Sequence, residues 1–497
     1  MADAFLQLTN PGSALLADLP VLPFVEFSRQ ALSAIHERGG RVSAFFAIPQ
    51  ANNFRLILVL ALDAEGNLLL SACDVEREYP SLTPECTQFH WFEREIAEQY
   101  GIKPLGHPWL KPIRFNHSEE GEERAPGVTE YFAMQGEAAH EVAVGPVHAG
   151  VIEPGHFRFQ CLGEDVFSLE ISLGYQHRGI EKMLQGGPDN KSIHLLETAS
   201  GDSSCASAGA FCQLLETLTP GGLISDRDQA LRVVAWELER IANHAGDLGA
   251  LAGDVAFRPT AGYCGRIRGD FLNMTAALCG NRFGRGLIVP GGMGYEVDLA
   301  ICNKLLPWLK KTANELDSAL DLLFDAPSVL DRFENTGTVS SESASQAGLV
   351  GVAARASALA QDVRSKHPYG WYCQHKIPMP LAKSGDVLAR AWVRRQELAA
   401  SVQIVQELLE NLPLPGKKPV PYRLAGERIV VSLVEAWRGE LCHVALTDAS
   451  GKFSSYKIVD PSFHNWFGLA LSLRGEQISH FPLCNKSFNL SYCGHDL

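Results

Sequence analysis

The chain has 497 residues, 46% hydrophobic and 20% charged, a balance that sustains a large folded core and excludes an intrinsically disordered chain. Its formal net charge of −14 excludes the broad basic surface that phosphate backbones require, so nucleic acid is not an expected partner. Twelve cysteines are scattered with no C-x-x-C pair, which removes the zinc-ribbon and dithiol signatures and leaves buried free thiols as their expected state.

The first residues, Met1-Ala2-Asp3-Ala4-Phe5-Leu6, carry no basic segment before an apolar core, and the apolar run from Leu56 to Leu62 is far short of the roughly 20 residues that cross a bilayer. The expectation is a chain that is soluble or held at a membrane by partners. Phe24 to Glu37 has a helical period, Arg41 to Ile48 and Phe54 to Ala61 read as strands, and Gly66-Asn67 turns into a third from Leu68 to Cys73. A helix from Trp91 to Tyr100 ends at Gly101, a suitable C-cap, before the turn Gly106-His107-Pro108, where His107 is expected to pack. The acidic run 119–124 and Pro126-Gly127 then read as a linker.

Beyond it, Gly145-Pro146-Val147-His148 makes a turn whose histidine either reaches a ligand or bonds to backbone. Phe157, Phe159 and Cys161 alternate as an edge strand, and Gly163-Glu164-Asp165 turns into a strand from Val166 to Ile171. Tyr175 to Leu184 reads as a helix starting near His177 or Arg178, with Arg178, Glu181 and Lys182 at intrahelical pairing distances. Helices are further expected from Cys205 to Leu218, from Asp228 to Ala252 with His244 packed inside, from Cys302 to Phe324, and from Asp386 as N-cap to Leu412. Arg428 to Asp448 reads as a hairpin turning at Arg438-Gly439, followed by a third strand. Arg332, Arg355 and Arg364 either line a polar cavity or are paired inside a helical core, and Arg390 and Arg394 sit one turn apart on the helix from Asp386. Gly291-Gly292 lacks the G-K-S/T that a phosphate loop needs, so no nucleotide site is expected.

Several of these segments carry a resemblance. Trp91-Phe92-Glu93-Arg94-Glu95 followed by Gly106-His107-Pro108 resembles the 30-kilodalton subunit of respiratory complex I. The G-P-x-H turn, Gly174-Tyr175-Gln176-His177-Arg178-Gly179-Ile180-Glu181-Lys182, the E-x-E-R-I-x-N-H run at Glu237 and the E-x-x-R-G-E run at Glu435 are similar to the 49-kilodalton subunit of complex I and to the large subunit of energy-converting nickel–iron hydrogenases. The implied fold class is α+β: a small N-terminal α/β domain over 1–115, a linker over 116–139, and a large, mainly helical, hydrogenase-large-subunit-like domain over 140–497 with peripheral β-hairpins.

In the hydrogenase branch, two C-x-x-C motifs hold nickel between thiolates. Here they fall on Ser200-Gly201-Asp202-Ser203 and on Leu490-Ser491-Tyr492-Cys493, so three of the four thiolates are missing and a nickel–iron centre is not expected. A slipped register would instead need Cys205, Cys212, Cys484 and Cys493 to converge. The resemblance implies a membrane-associated oxidoreductase subunit on the cytoplasmic face of the inner membrane. It would take electrons from a small iron–sulfur subunit, with a ferredoxin-like iron–sulfur subunit and antiporter-like membrane subunits as further partners and ion pumping as the coupled process. His148 and Asp202 are the expected catalytic pair, Asp202 as proton source; Arg178, Ser200 and Ser203 are expected to line the cavity, with a quinone headgroup as an implied occupant. The alternatives are a non-catalytic assembly scaffold and a hydrogenase with atypical ligands.

Overall fold

A computed structural model describes residues 4–115, 125–149, 152–221, 224–416 and 423–497; the acidic run 119–124 and Gly150-Val151 lie outside them. The fold is mixed α+β. Near the N-terminus, strands Arg41–Pro49, Phe54–Leu62 and Asn67–Val75 form an antiparallel sheet, extended by Leu6–Leu8 and by Val21–Leu22, which runs parallel to its neighbour. Seven consecutive residues, Leu56 to Leu62, have no solvent exposure, which requires both faces of the central strand to be covered. Phe27 stacks on Phe45, which meets Phe89 edge-on, across one cover, where helix Phe24–His36 packs.

Polar groups join this sheet to the rest of the chain. Arg41 and Ser43 reach Glu440 at 2.7 Å each, and His367 meets Asp63 at 3.0 Å. Strand Gly12–Leu15 leaves the first sheet altogether and pairs with Arg428–Ala436, so the second sheet runs Phe453–Val459, Gly439–Thr447, Arg428–Ala436, Gly12–Leu15. The Asn10 side chain holds this crossing, donating to the carbonyls of His367 and Leu433 and accepting from the Leu433 amide.

The helices pack around Asp226–Asp254, capped by Ser225, whose apolar stripe is buried against Arg258–Cys279 and Val387–Glu410. Asp386 accepts from the Ala389 amide as the expected N-cap. Two local expectations are corrected. Strand His156–Leu162 is central in a three-stranded sheet, because Ala139–Val144 pairs on its far side; that is why Phe157, Phe159 and Cys161 have no exposure. The helix expected from Tyr175 is only Ile180–Leu184, because Gly179 sits at φ +70°, a left-handed conformation that cannot continue a helix.

Candidate functional site

Three segments converge on one cavity of about 700 Å³: the loop 174–179, the turn 198–202 and the C-terminal stretch from Ser491. The C-terminal residues fix the first loop. The Asp496 carboxylate accepts from the amides of Gly174 and Gln176 at 2.8 and 2.9 Å, and the Leu497 carbonyl accepts from those of Arg178 and Gly179 at 2.7 and 3.0 Å. His177 adds a bond from Nδ1 to the Asp496 carbonyl at 2.7 Å. Helix Arg258–Cys279 contributes Arg268 to the wall, and the following turn contributes Phe283 and Arg285.

Asp202 is the best-anchored acid in this wall. Arg438 grips its carboxylate with two bonds of 2.7 and 2.8 Å, while Ser200 donates a third at 3.2 Å. The Asp202 carbonyl accepts from Trp437 Nε1 and Asn243 Nδ2 at 3.0 and 2.9 Å, so the long helix and the Arg438 hairpin set the turn between them. The Arg438 guanidinium lies 3.9 Å over the Trp437 ring and also donates to the Asn489 carbonyl. Burial pushes the Asp202 carboxyl up, but the Arg438 charge and hydrogen bonds outweigh it and hold the group below the usual carboxylate range. An acid held ionised in this way is a weak proton donor at neutral pH. The geometry therefore fits Asp202 as an electrostatic anchor better than as a proton source.

Ser200 Oγ lies 3.0 Å from Ser491 Oγ, which lies 3.4 Å from Cys493 Sγ. Thus the two segments aligned with the thiolate motifs do meet. Arg178 lines the cavity but stands outside the helix, donating to the carbonyls of Thr198 and Ala199 at 2.7 and 2.9 Å instead of pairing with Glu181. Ser200 and Ser203, the latter at the start of helix Ser204–Leu218, are both buried, and neither is among the cavity-lining residues. His148 is not among them either; its Nε2 donates to the Gly155 carbonyl at 2.8 Å, the backbone-bonded arrangement of a turn histidine.

A neighbour with no role legible in the sequence is Glu239. Its carboxyl oxygens accept from the amides of Cys205 and Ala206 at 2.7 and 3.2 Å, at the start of the same helix. Burial pushes its pKa up to about 8, against the pull of the two amides, and the charge of Asp202 pushes the same way. Glu239 is the second acid of the E-x-E-R-I run; only the fold puts it behind Asp202.

Family models of the 49 Kd subunit of respiratory-chain NADH dehydrogenase and of its 30 Kd subunit match residues 254–424 and 27–126. The carbon monoxide-induced hydrogenase of Rhodospirillum rubrum is 32% identical over 71% of this chain and 98% of its own length. The chain belongs to the hydrogenase large-subunit and complex I 49-kilodalton family. Formate hydrogenlyase subunit 5 of Escherichia coli (strain K12) is 26% identical over 91% of this chain and 81% of its own. An NADH-quinone oxidoreductase subunit of Phocaeicola vulgatus is 26% identical over 75% and 79%. A chain of the membrane-bound sulfane sulfur reductase, described as an archaeal respiratory membrane complex, shares the fold with a TM-score of 0.68 at 22% identity, covering 73% of this chain and 99% of that one. The sequence relatives are thus named as hydrogenase, formate hydrogenlyase and NADH-quinone oxidoreductase proteins, and the structural relative belongs to a membrane complex. No helix among the described residues of this chain is long and apolar enough to cross a membrane.

Family membership raises the question of nickel, and the donor set decides it. The positions of the two motifs offer hydroxyls, a carboxylate already held by Arg438, and the single sulfur of Cys493, a set that does not fit a metal held between thiolates. The slipped register would draw largely on buried thiols. Cys205 and Cys212 are buried in helix Ser204–Leu218, Cys484 is buried beside Arg390, and among the described residues no group of three or more His, Cys, Asp or Glu is arranged to hold a metal. Burial pushes the Cys484 and Cys493 thiols up, to about 12 and about 11.

Three of the chain's buried arginines resolve into core pairs, while Arg390 donates to the Ser487 hydroxyl and to the carbonyls of Gly385 and Gly337. Arg355 meets Glu397 at 2.7 Å and Glu435 at 2.8 Å, Arg364 meets Glu237 at 2.9 Å and Asp362 at 2.7 Å, and Arg394 meets Asp247 at 2.8 Å. His244 Nε2 lies 3.0 Å from Glu397 within the same network.

Proposed function

We propose that this chain is the large subunit of a membrane-associated oxidoreductase complex and that the cavity at Asp202 is its substrate site, working without a nickel–iron centre. Residues 1–115 would serve as a complex I 30-kilodalton-like docking domain and 140–497 as the redox-facing domain. A partner iron–sulfur subunit would deliver electrons to the cavity, a ferredoxin-like iron–sulfur subunit would feed it, and antiporter-like membrane subunits would couple the reaction to ion pumping at the cytoplasmic face. A quinone headgroup is one substrate that this family reading allows.

One observation carries the proposal: the cavity beside the two motif segments is open and has charged and polar side chains in its wall. Arg178, Asp202, His177 and Glu153 face it, where a decayed scaffold would have closed it with apolar side chains. Gly201 supplies the test. It lines the cavity, and a Cβ there would meet nothing within 4 Å, so a large side chain can fill the space without disturbing the backbone. In the purified complex, Gly201→Phe is expected to lower turnover by about 100-fold, by excluding substrate from the reacting position, while the complex stays fully assembled. Unchanged turnover in an assembled complex would favour the scaffold.

A further inference from the structure

The cavity carries more positive charge than its own carboxylates neutralise. Arg178, Arg268 and Arg285 all line it. The guanidinium of Arg178 donates only to backbone carbonyls, and among the described residues those of Arg268 and Arg285 have neither a carboxylate nor a hydrogen-bond partner. Of the two carboxylates in the wall, Asp202 is occupied by Arg438, and Glu153 accepts the Tyr492 amide at 3.1 Å.

Arg268 is also placed by packing. Its stem lies against Gly246 on the long helix, where a Cβ would meet Arg268 Cδ at 2.7 Å and Nε at 2.9 Å. Glycine at 246 thus keeps open the groove that directs this side chain along the cavity wall. The fold has carboxylates to spare, with a formal charge of −14, and it pairs the buried Arg355, Arg364 and Arg394 with them, whereas buried Arg390 bonds to the Ser487 hydroxyl and to the carbonyls of Gly385 and Gly337. Leaving three guanidiniums unpaired around one concave space focuses positive potential there. A planar guanidinium fork best matches a group with two acceptor atoms in one plane.

We infer that the cavity binds a small anion, a carboxylate or oxyanion that bridges the Arg268 and Arg285 side, in preference to a neutral molecule. This rests on the reading of the cavity as the substrate site. Asp202 sharpens the selection: by neutralising Arg438 it keeps the inner wall balanced, so the uncompensated charge lies on the side of Arg178, Arg268 and Arg285. A neutral substrate could accept hydrogen bonds from those three groups but would not draw on their charge, which makes such bonds weaker than those of an anion.

The probe is sulfate, titrated calorimetrically at low ionic strength into the purified chain and into the assembled complex, with dimethyl sulfone as a neutral molecule of similar shape. Sulfate is expected to bind with one-to-one stoichiometry and dimethyl sulfone to give no heat. Arg268→Gln with Arg285→Gln is expected to weaken sulfate by about tenfold or more, and Gly246→Ala, which displaces the Arg268 stem, by a smaller factor; thermal melts confirm that each variant is folded. Equal sulfate affinity in the double variant overturns the inference. So does binding by the isolated chain that vanishes on assembly, which would assign the arginines to an acidic partner face. If sulfate fails to bind while Gly201→Phe still blocks turnover, the substrate-site reading stands and the anion inference alone falls.

Discussion

The buried network at Glu397 and the wall of the cavity are both rich in arginine, yet they use it in opposite ways. In the first, Arg240, Arg355 and Arg364 have at most 2% side-chain exposure and each contacts at least one carboxylate from Glu237, Asp362, Glu397 or Glu435. In the second, three arginines face open space, and among the described residues none of them is paired with a carboxylate. Burying an ion is tolerated only with a close partner, so a fully paired cluster is what a folded core requires. Unpaired guanidiniums contribute little to stability and are available to a ligand. The same residue type therefore marks architecture in one region and recognition in the other.

The comparison breaks most severely in the core. Glu397→Gln removes the charge shared by Arg355 and His244, and is expected to cost about 3–5 kcal/mol in urea unfolding of the purified chain. Acid reports on the same network. Burial raises the Glu237 carboxyl, but Arg364 and Arg240 bring it down to about 2, so its stabilisation is present above the ordinary value near 4.5 and is lost as pH falls from there toward 2. Glu237→Gln is expected to flatten the acid limb of the melting profile over that window; a limb as steep as in the wild type would remove Glu237 as its cause.

The boundary between the two regions is Asp202, about a third exposed, whose loss leaves Arg438 without its counter-charge. Asp202→Asn is expected to cost about 1–3 kcal/mol, less than the core change because solvent reaches the pair. Glu239 shifts the other way. Its folded-state pKa of about 8 means that the folded chain holds a proton which the unfolded chain gives up, so stability falls as pH rises from about 4.5 through 8. Glu239→Gln should remove that decline, visible as a flatter melting temperature between pH 5 and pH 8. The smallest effect belongs to exposed Arg285, where Arg285→Gln is expected to change stability by no more than about 0.5 kcal/mol.

Periodicity located most of the elements because their apolar stripes are continuous: helix Asp226–Asp254 and the strand Phe54–Leu62 lie within a residue or two of their expected bounds. Helix Arg258–Cys279 was not legible, since Gly262, Gly265 and Gly269 interrupt its pattern; the docking against Asp226–Asp254 and Leu299–Phe324 holds it instead. That omission hid Arg268. Local motif matching brought out Ser200, Asp202 and Cys493, but nothing local announces that Arg438, 236 positions away, will grip Asp202. Nor does Arg178-x-x-Glu181 reveal that Gly179 breaks the helix between them. Charge partners that meet through the fold are set by topology, and spacing alone points to the wrong neighbour.

The crossing of strand Gly12–Leu15 into the sheet of Arg428–Ala436 has a consequence for synthesis. During translation this short edge strand leaves the ribosome more than 400 residues before its partner, an interval of roughly 20–80 s at ordinary elongation rates. For that time its amides and carbonyls have only water or a chaperone to bond. That sheet is closed by a strand made more than 400 residues earlier, so a nascent chain released before Arg428 leaves Gly12–Leu15 without the partner that it has in the finished fold.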